Sequence, residues 1–497
     1  MKSIVIVGAG IAGLTAGIYA QQAGFSTTIY EQHSIAGGLC TGWDRKGYHI
    51  DGCIRWLTGT RPGAALNNAW RAVGALGDDI ALHQHTSFGQ YHYPEGTITL
   101  WQDLERTRRE LLTLSPQDRT EIDTFIAHIG GLAGMEVPAL CPMDMMPFKQ
   151  LLPFMAGMKD AGQVMSATNR YTCAQYGLRF KHPAIQKMFA DCMPQGYSVS
   201  AFLFSLAAFC GGNAAVPMGG SRALAQRMQQ KYLALGGTLH LSTGVQQICV
   251  QRGVATGVLL QSGEVCSADY VISACDASLL FKNLLQNKYT PKAYTQRYAN
   301  PTVNPVSSSV LCSFAAAADV SSLPSALNFA PHPYRCGNHT VQYLGVKTYA
   351  YDPSFAPQNN CVIEVNTMLS GQDFAYWQNL YKDKPAYKAE KQRLADEIQQ
   401  KLEEALPQLK GSLTLLDVAT PVTFYRYTGA YQGAWMSFIG TPKAKRLHHK
   451  GPVKGVKNLY LAGQWTQTSG GLPIALTSGK FAVQRICKKE KLNYLFA

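Results

Sequence analysis

The chain has 497 residues, a formal net charge of +14 at pH 7, and a composition that is 46% hydrophobic and 15% charged. This length exceeds the size at which one hydrophobic core stops growing, so we expect two domains or one interleaved pair. The composition is that of an ordinary globular protein and excludes a disordered or low-complexity chain. The thirteen cysteines include no CxxC pair and no His/Cys cluster, so we expect no metal, no disulfide framework and a reduced, cytoplasmic setting.

Basic residues are concentrated near the C-terminus. From Thr441 onward the chain holds eleven Lys or Arg residues and one acid, Glu490. Such a cluster is either a solubilising face or a surface attracted to an anionic membrane. No aromatic-and-basic motif accompanies it, so we expect no nucleic-acid partner. The N-terminal apolar run is too short for a secretory signal, and no run approaches the roughly 20 apolar residues of a membrane span. Peripheral membrane contact stays open.

The first thirty residues predict a strand, a helix and a second strand. Ser3–Val7 is an apolar strand, residues 11–23 have helical character, and Ser26–Tyr30 is a second strand. A βαβ unit of this kind requires a parallel sheet.

The turn between this first strand and the helix has the pattern G-x-G-x-x-G, formed by Gly8, Gly10 and Gly13. Gly8 allows a tight turn, Gly10 lets a pyrophosphate approach the backbone, and Gly13 lets helix and strand pack closely. The phosphates then lie at a helix N-terminus, which carries roughly half a positive charge. Glu31 ends the second strand, where its carboxylate can bind a ribose diol and would repel the 2′-phosphate of NADP. The pattern predicts a bound dinucleotide.

A helical region follows. Ser115 and Pro116 predict a capped helix start, and Ile122, Phe125 and Ile129, with Ile126, lie on one helix face. Residues 199–209 are an apolar run that we interpret as a buried helix.

Seven of the fourteen methionines lie between Met135 and Met165. Methionine is flexible and polarizable, so this segment is either core filler or a surface that faces lipid or admits an apolar substrate.

The second half of the chain alternates strands and helices. Strands are predicted over residues 238–241, 257–261, 266–273 and 459–462, and Leu394, Ile398 and Leu402 share one face of a helix that Pro407 stops.

A second set of glycines follows Glu31. Gly37, Gly38 and Leu39 come six residues later, and Asp51-Gly52 precedes a segment that ends in Trp56. This arrangement resembles the flavoprotein family that includes phytoene desaturase, carotenoid isomerase and retinol saturase, with the monoamine oxidases as more distant relatives. The resemblance implies that the double glycine and Leu39 lie beside the ribityl and pyrophosphate of FAD, and that Trp56 lies near the isoalloxazine. It also implies that Val245 contacts adenine through its backbone.

The C-terminal motif carries the same resemblance. In this family a strand ends in Ala-Gly-acid, and a glycine-rich turn leads into a helix whose first amides face the flavin pyrimidine. The positions that match, with Gln464 in place of the acid, are Gly463, Gln464, Gly470, Gly471, Pro473 and Ile474. A helix N-terminus there would stabilise negative charge on the reduced flavin.

The resemblance implies an α/β fold of the monoamine oxidase and phytoene desaturase type. A Rossmann-like FAD-binding domain is interleaved with a discontinuous α+β substrate domain. We predict residues 1–85, 216–285 and 455–497 for the FAD-binding domain and residues 86–215 and 286–454 for the substrate domain, in which residues 135–165 are helical and Met-rich.

The resemblance further implies an FAD-dependent oxidoreductase that desaturates, saturates or isomerises a lipophilic unsaturated substrate such as a carotenoid or retinoid. Leu39 replaces the arginine usual in the desaturases, which favours saturation or isomerisation. The candidates for a proton donor are Tyr425, Tyr427 and Tyr431. Alternatives are a flavin amine oxidase and, in another class, a non-redox binder of prenylated partners like the Rab GDP-dissociation inhibitors. The substrate, the electron partner and the oligomeric state stay open.

Overall fold

The computed structural model describes residues 1–496. Its first layer is a five-stranded sheet in which every pair of neighbours is parallel. Three of its strands, Ser3–Val7, Tyr270–Ser273 and Leu459–Leu461, are apolar and almost wholly buried, as expected for a parallel sheet covered on both faces. In spatial order they are Leu459–Leu461, Tyr270–Ser273, Ser3–Val7, Ser26–Tyr30 and Thr238–His240.

Three helices cover this sheet, namely Ile11–Gln22, Gly220–Ala234 and Leu472–Lys489. The first is buried along nearly its whole length. Its contact with the C-terminal helix is so close that a Cβ on Gly479 would stand 2.4 Å from the Ala12 carbonyl oxygen. The N-terminal and C-terminal segments therefore form one core.

A three-stranded antiparallel sheet, Val245–Gln251, Val254–Leu260 and Val265–Ser267, lies beside the first. The prediction of one strand over residues 266–273 is wrong. The strand ends at Ser267 and a new one begins at Tyr270, because the chain leaves the antiparallel sheet there and joins the parallel one. The Asp269 carboxylate fixes this crossing by accepting hydrogen bonds from the Ser3 amide (2.8 Å) and hydroxyl (3.1 Å).

The largest sheet has seven strands and is antiparallel except where Ala326–Phe329 meets Ser87–Tyr93. Helix Lys384–Ala405 packs on it and buries Leu394, Ile398 and Leu402, which confirms the predicted amphipathic helix. In spatial order the strands are Leu413–Ala419, Ser307–Ala316, Cys361–Ser370, Leu344–Thr348, Ala326–Phe329, Ser87–Tyr93 and Gly96–Trp101.

A helical layer packs against the end of this sheet. The predicted buried helix is confirmed as Val199–Cys210. The predicted helix start is confirmed in position, since Ser115 precedes the 3-10 turn Pro116–Asp118 that leads into helix Arg119–Leu132. The Ser115 side chain does not cap a backbone amide, because its hydroxyl donates to the Asp118 carboxylate (2.8 Å). The helices are Leu104–Leu114, Arg119–Leu132, Phe148–Gly157, Lys159–Thr168, Cys173–Gly177, Pro183–Asp191 and Val199–Cys210.

The remaining elements are short connections. They are the hairpin of Gly42–Arg45 and Tyr48–Asp51, the strand pairs Leu82–His83 with Val216–Pro217 and Tyr334–Cys336 with His339–Val341, a single π-helical turn over Leu279–Leu284, and the helices Ala65–Ala72, Lys292–Ala299, Phe374–Leu380 and Pro421–Thr428.

The two main sheets draw on different parts of the chain. The parallel sheet uses strands within residues 3–30, 238–240, 270–273 and 459–461, and the seven-stranded sheet uses strands within residues 87–101 and 307–419. The domain boundaries themselves stay a prediction. Within residues 1–496, every helix is too short or too polar to cross a bilayer.

Candidate active site

Four chain segments meet at the carboxyl edge of the parallel sheet. Gly8, Glu31, Ala274 and Gly463 each follow directly, or within two residues, the end of a strand. A Cβ on Gly8 would lie 3.4 Å from the Ala274 carbonyl oxygen, and one on Gly463 would lie 3.9 Å from the carbonyl oxygen of Cys275. The first strand lies between Ser26–Tyr30, the next strand along the chain, and Tyr270–Ser273, which comes far later, so the strand order changes direction here. Such an edge is where open α/β sheets bind ligands.

The glycine triplet shapes the first of these segments. Gly8 has φ +97°, and a Cβ on Gly13 would stand only 1.9 Å from the Gly8 carbonyl oxygen. Gly10 begins helix Ile11–Gln22 without any side-chain cap, so the first backbone N–H groups of the helix are available to an anion. The turn therefore fits the pyrophosphate of a dinucleotide.

The double glycine lies against this turn. The Gly37 amide donates to the Ala9 carbonyl (2.9 Å), and a Cβ on Gly38 would lie 3.3 Å from the Gly10 Cα. Side chains in either place would fill the space in which the backbones approach each other. Leu39 follows and is half-buried.

Glu31 is buried at the end of the second strand. Its carboxylate accepts hydrogen bonds from the Ala9 amide (2.7 Å) and the His33 amide (2.9 Å). Burial raises the pKa of this carboxyl, and the two amides act in the opposite direction. The Thr243 amide donates to the Glu31 carbonyl (2.7 Å), which brings the segment before Val245 to the same corner.

The C-terminal motif supplies the opposite side of the edge. Gly463 has φ +118°, and its amide donates to the Ser478 hydroxyl (2.7 Å). Gln464 does not extend away from the turn, since its Oε1 accepts the Gly471 amide (3.1 Å). Helix Leu472–Lys489, with Pro473 and Ile474 in its first turn, begins at Gly471 without a side-chain cap. Its N-terminus can stabilise negative charge.

Asp276 is a buried acid at this edge that the sequence patterns did not single out. Its carboxylate accepts the Ser278 amide (2.7 Å) and the Tyr431 amide (2.8 Å). Burial raises the pKa of Asp276 to about 6. Asp276 could have been predicted from its position three residues after the strand Tyr270–Ser273, because ligand-binding groups follow strand ends in such sheets.

The three candidate tyrosines are not brought together. Tyr425 and Tyr427 lie on helix Pro421–Thr428 with 43% and 48% of their surface exposed. Tyr427 packs edge-on against His33, with the ring centroids 5.2 Å apart. Tyr431 alone lies inside, 6.1 Å from the buried ring of Trp465. A proton-donor role for any of the three stays a prediction.

The segment that follows Asp51 turns away from the parallel sheet towards the seven-stranded sheet. The Asp51 carboxylate fixes it by accepting the amides of Cys53 and Ile54 and both the amide and the hydroxyl of Ser221, at 2.6–3.0 Å. Trp56 then packs on Phe88, with centroids 4.8 Å apart. Residues 51–56, the cofactor-side segment, thus contact the largest sheet directly.

A small cavity lies at this contact, and the patterns did not predict its polar residues. Its apolar wall is aromatic, and three of its other side chains are basic groups drawn from distant parts of the sequence. The aromatic residues are Trp56, Phe88, Phe209 and Tyr351, and the basic ones are Arg55, His85 and Lys347.

The chain matches the family described as "Flavin containing amine oxidoreductase" over residues 11–487. The chain belongs to this family. Prolycopene isomerase, chloroplastic, of Daucus carota is 23% identical to it, with 97% of this chain and 79% of the relative covered. The 4,4'-diaponeurosporene oxygenase of Staphylococcus aureus (strain MW2) is also 23% identical, with 99% of each covered.

Solved structures show the same fold. An oxidoreductase from Methanosarcina mazei superposes with a TM-score of 0.61 at 15% identity, covering 96% of this chain and 98% of its own. Cyclohexylamine oxidase from Brevibacterium oxydans gives a TM-score of 0.57 at 13% identity, covering 99% of each chain. The predicted α/β architecture of this flavin amine oxidoreductase is therefore confirmed.

This family member is an FAD-dependent oxidoreductase, as its sequence predicts. FAD accepts or donates electrons through its isoalloxazine. The glycine turns, Glu31 and the two uncapped helix N-termini fit its dinucleotide, since they leave backbone N–H groups and a carboxylate at one sheet edge. The alternative of a non-redox binder is not supported.

Proposed function

We propose that this enzyme carries out flavin-dependent chemistry at C–C or C=C bonds of a lipophilic unsaturated substrate, as a desaturase, saturase or isomerase of a polyene. Two relatives bear names that refer to carotenoids, prolycopene isomerase and 4,4'-diaponeurosporene oxygenase. The proposal transfers that substrate class to this chain.

The observation that carries the proposal is the aromatic wall next to the cofactor-side segment. Trp56 follows the Asp51 turn and packs on Phe88, which in turn contacts Phe209 with centroids 5.7 Å apart. A hydrocarbon needs such a dry, apolar surface, on which it can be held flat and close to the reacting cofactor. The rings exclude water, and the fixed Asp51 turn orients Trp56.

The charges of the cavity favour a neutral hydrocarbon substrate over an amine. Arg55 and Lys347 both line it. Two cations in a partly buried site repel a protonated amine, and the repulsion grows as the effective dielectric constant falls. A neutral hydrocarbon chain experiences no such repulsion.

The test is a visible absorbance spectrum of the purified protein, repeated anaerobically with polyenes, unsaturated fatty acids and amines. We expect a flavin spectrum that an unsaturated lipophilic compound bleaches, or, for an isomerase, turnover of such a compound by the pre-reduced enzyme. Bleaching by amines alone would overturn the proposal in favour of amine oxidation.

We further propose that the enzyme contacts an anionic membrane surface through helix Phe148–Gly157. This helix buries none of its side chains, although it contains Phe148, Leu152 and Met155, which are 69%, 55% and 55% exposed. Exposed apolar groups clustered in this way mark an interaction surface.

Basic groups stand beside this helix. Lys149 lies on it, and the Lys450 ammonium pairs with Asp144 just before it (3.2 Å). Arg446 bonds Asn169, just after the next helix (2.9 Å). The basic C-terminal region and the Met-rich segment thus share one surface, which suits an apolar insertion flanked by cations.

Vesicle co-sedimentation tests this contact. We expect binding to vesicles of phosphatidylcholine with phosphatidylglycerol, weaker binding to phosphatidylcholine alone, and at least about a tenfold loss for Leu152→Glu, since each buried leucine contributes about 1.5–3 kcal/mol. Leu233→Glu changes a similarly exposed leucine on helix Gly220–Ala234 and serves as the control. Equal binding of both variants and the parent would overturn the proposal.

A further inference from the structure

Arg55 belongs to the cofactor-side segment, and its side chain lines the small cavity. Its guanidinium carbon lies 5.7 Å from the ring centroids of both Trp56 and Phe88, and an Nη donates weakly to the Phe88 carbonyl (3.4 Å). A Cβ on Gly89 would lie 3.7 Å from the same Nη. The side chain is therefore held against the strand Ser87–Tyr93, at the wall of the cavity.

This guanidinium has no acidic partner among residues 1–496. Burial lowers the pKa of Arg55, and the ionisable groups that oppose this effect are the hydroxyls of Tyr91 and Tyr349 rather than carboxylates. An unpaired charge in a partly buried site costs stability unless something compensates it. Such a cost is characteristic of groups that are retained for a ligand.

Lys347 provides a second cation beside the first. Its ammonium donates to the Tyr349 hydroxyl (2.6 Å) and lies 3.5 Å from the carbonyl of Ile54, the residue before Arg55. The acid facing it is Glu364, 3.7 Å away. That carboxylate already accepts the Asp51 amide (3.1 Å) and the Tyr349 hydroxyl (2.7 Å).

The other ionisable groups near the cavity do not neutralise these two cations. His85 lines it, and burial, helped by His83, Arg55 and Lys347, lowers the pKa of its imidazole to about 3. Asp352, the acid nearest His83, uses its carboxylate to accept the amides of Gly219 and Ser354. No carboxylate in the described chain is therefore left over to neutralise Arg55.

We propose that Arg55 and Lys347 bind the carboxylate of the substrate, so that the enzyme acts on an unsaturated lipophilic acid. The inference rests on the proposed function for the reaction and names its substrate class. Arginine and lysine in a partly buried site form charge-assisted hydrogen bonds with a carboxylate. The hydrocarbon then lies along Trp56, Phe88 and Phe209, so one end of the substrate fixes the position of its double bonds.

Three probes with one hydrocarbon chain separate charge from apolar contact. They are α-linolenate, methyl linolenate and linolenyl alcohol, each titrated into the FAD-loaded enzyme while the flavin absorbance is followed. We expect α-linolenate to bind at least about tenfold more tightly than the ester and the alcohol, since hydrogen bonds to charged groups contribute about 1.5–3 kcal/mol. Equal affinities for the three probes, or no binding of any, would overturn the inference.

Substitutions of Arg55 and Lys347 test whether these two residues cause the preference for the acid over the ester. Arg55→Met removes the preference for the acid without weakening the ester, Lys347→Met reduces it, and Arg55→Lys retains part of it. Arg227→Met is the matched control, because Arg227 is also a half-buried arginine but bonds the Ala75 carbonyl outside the cavity. An acid preference that survives in both methionine variants of the cavity would contradict the inference.

The same titrations separate this inference from the proposed function. If the acid is preferred but no unsaturated compound reacts with the flavin, the carboxylate site stands and the redox proposal fails. If neutral polyenes react and the acid has no advantage, the redox proposal stands and the carboxylate site fails.

Discussion

The cofactor edge and the substrate cavity are built in different ways. At the edge, Gly8, Gly10 and Gly463 shape the turns, and two uncapped helix N-termini offer backbone N–H groups, with Glu31 as the main side chain. The cavity is lined by residues 55, 56, 85, 87, 88, 209, 325, 326, 347, 348 and 351, which come from five separate parts of the chain. A ligand that every family member shares is bound by chain conformation, whereas side chains that are exchanged one at a time can select a substrate.

The largest effect is expected from a single methyl group at the cofactor edge. Gly13→Ala would place a Cβ 1.9 Å from the Gly8 carbonyl oxygen, so helix and turn must separate. We expect loss of bound flavin and a fall of about 3 kcal/mol or more in the free energy of unfolding, measured by absorbance and denaturant titration. Gly130→Ala, a change at another helical glycine but with open space around it, should keep the flavin bound and should not lower the free energy of unfolding.

On the cavity side, the buried carboxyl group of Glu364 makes the stability depend on pH. Burial raises the pKa of Glu364 from 4.5 to about 7, so the folded protein holds this proton more tightly than the unfolded chain. The resulting stability is fully present below pH 4.5 and is lost as the pH rises through about 7. It amounts to about 3 kcal/mol, because each pKa unit corresponds to about 1.4 kcal/mol.

Glu364→Gln should remove this pH dependence. Denaturant titrations from below pH 4.5 to above pH 7 should therefore show the parent losing stability relative to the variant as the pH rises. Glu404→Gln removes an exposed carboxylate and controls for the change in net charge. A constant difference between parent and Glu364→Gln would show that Glu364 is not held neutral by its surroundings.

A smaller effect tests the Gln464 side chain in the glycine-rich turn. Gln464→Leu removes the acceptor of the Gly471 amide and should weaken FAD binding about tenfold, the equivalent of one hydrogen bond. Gln464→Glu keeps an acceptor in place and should retain affinity. Loss of affinity in both variants would mean that the amide group itself contacts FAD.

The smallest effect is expected on the surface helix. Tyr425→Phe and Tyr427→Phe should leave the rate of flavin reduction unchanged, because both side chains are largely exposed on helix Pro421–Thr428. Stopped-flow absorbance measures the rate. A large fall in the rate of flavin reduction for either variant would instead support that tyrosine as the proton donor.

The predictable parts of this molecule are those specified by neighbouring residues. The G-x-G-x-x-G turn, the amphipathic helix around Leu394 and the buried helix Val199–Cys210 follow from spacing alone. The strand break at Asp269 was missed because the apolar pattern continues while the chain changes sheets. The meeting of Arg55 with Lys347 was missed because 292 positions separate them and only the folded sheet brings them to one cavity.

The close contact between Ala12 and Gly479 has a consequence for synthesis. The edge strand Leu459–Leu461 and helix Leu472–Lys489 are synthesised more than 400 residues after the first helix, yet they complete the sheet and cover that helix. The apolar helix Ile11–Gln22 therefore stays exposed until helix Leu472–Lys489 has been synthesised. During that time the nascent chain can aggregate or bind chaperones. The cofactor edge is complete only after helix Leu472–Lys489 has been synthesised, so flavin supply and chaperone capacity should limit the yield of active enzyme during overexpression.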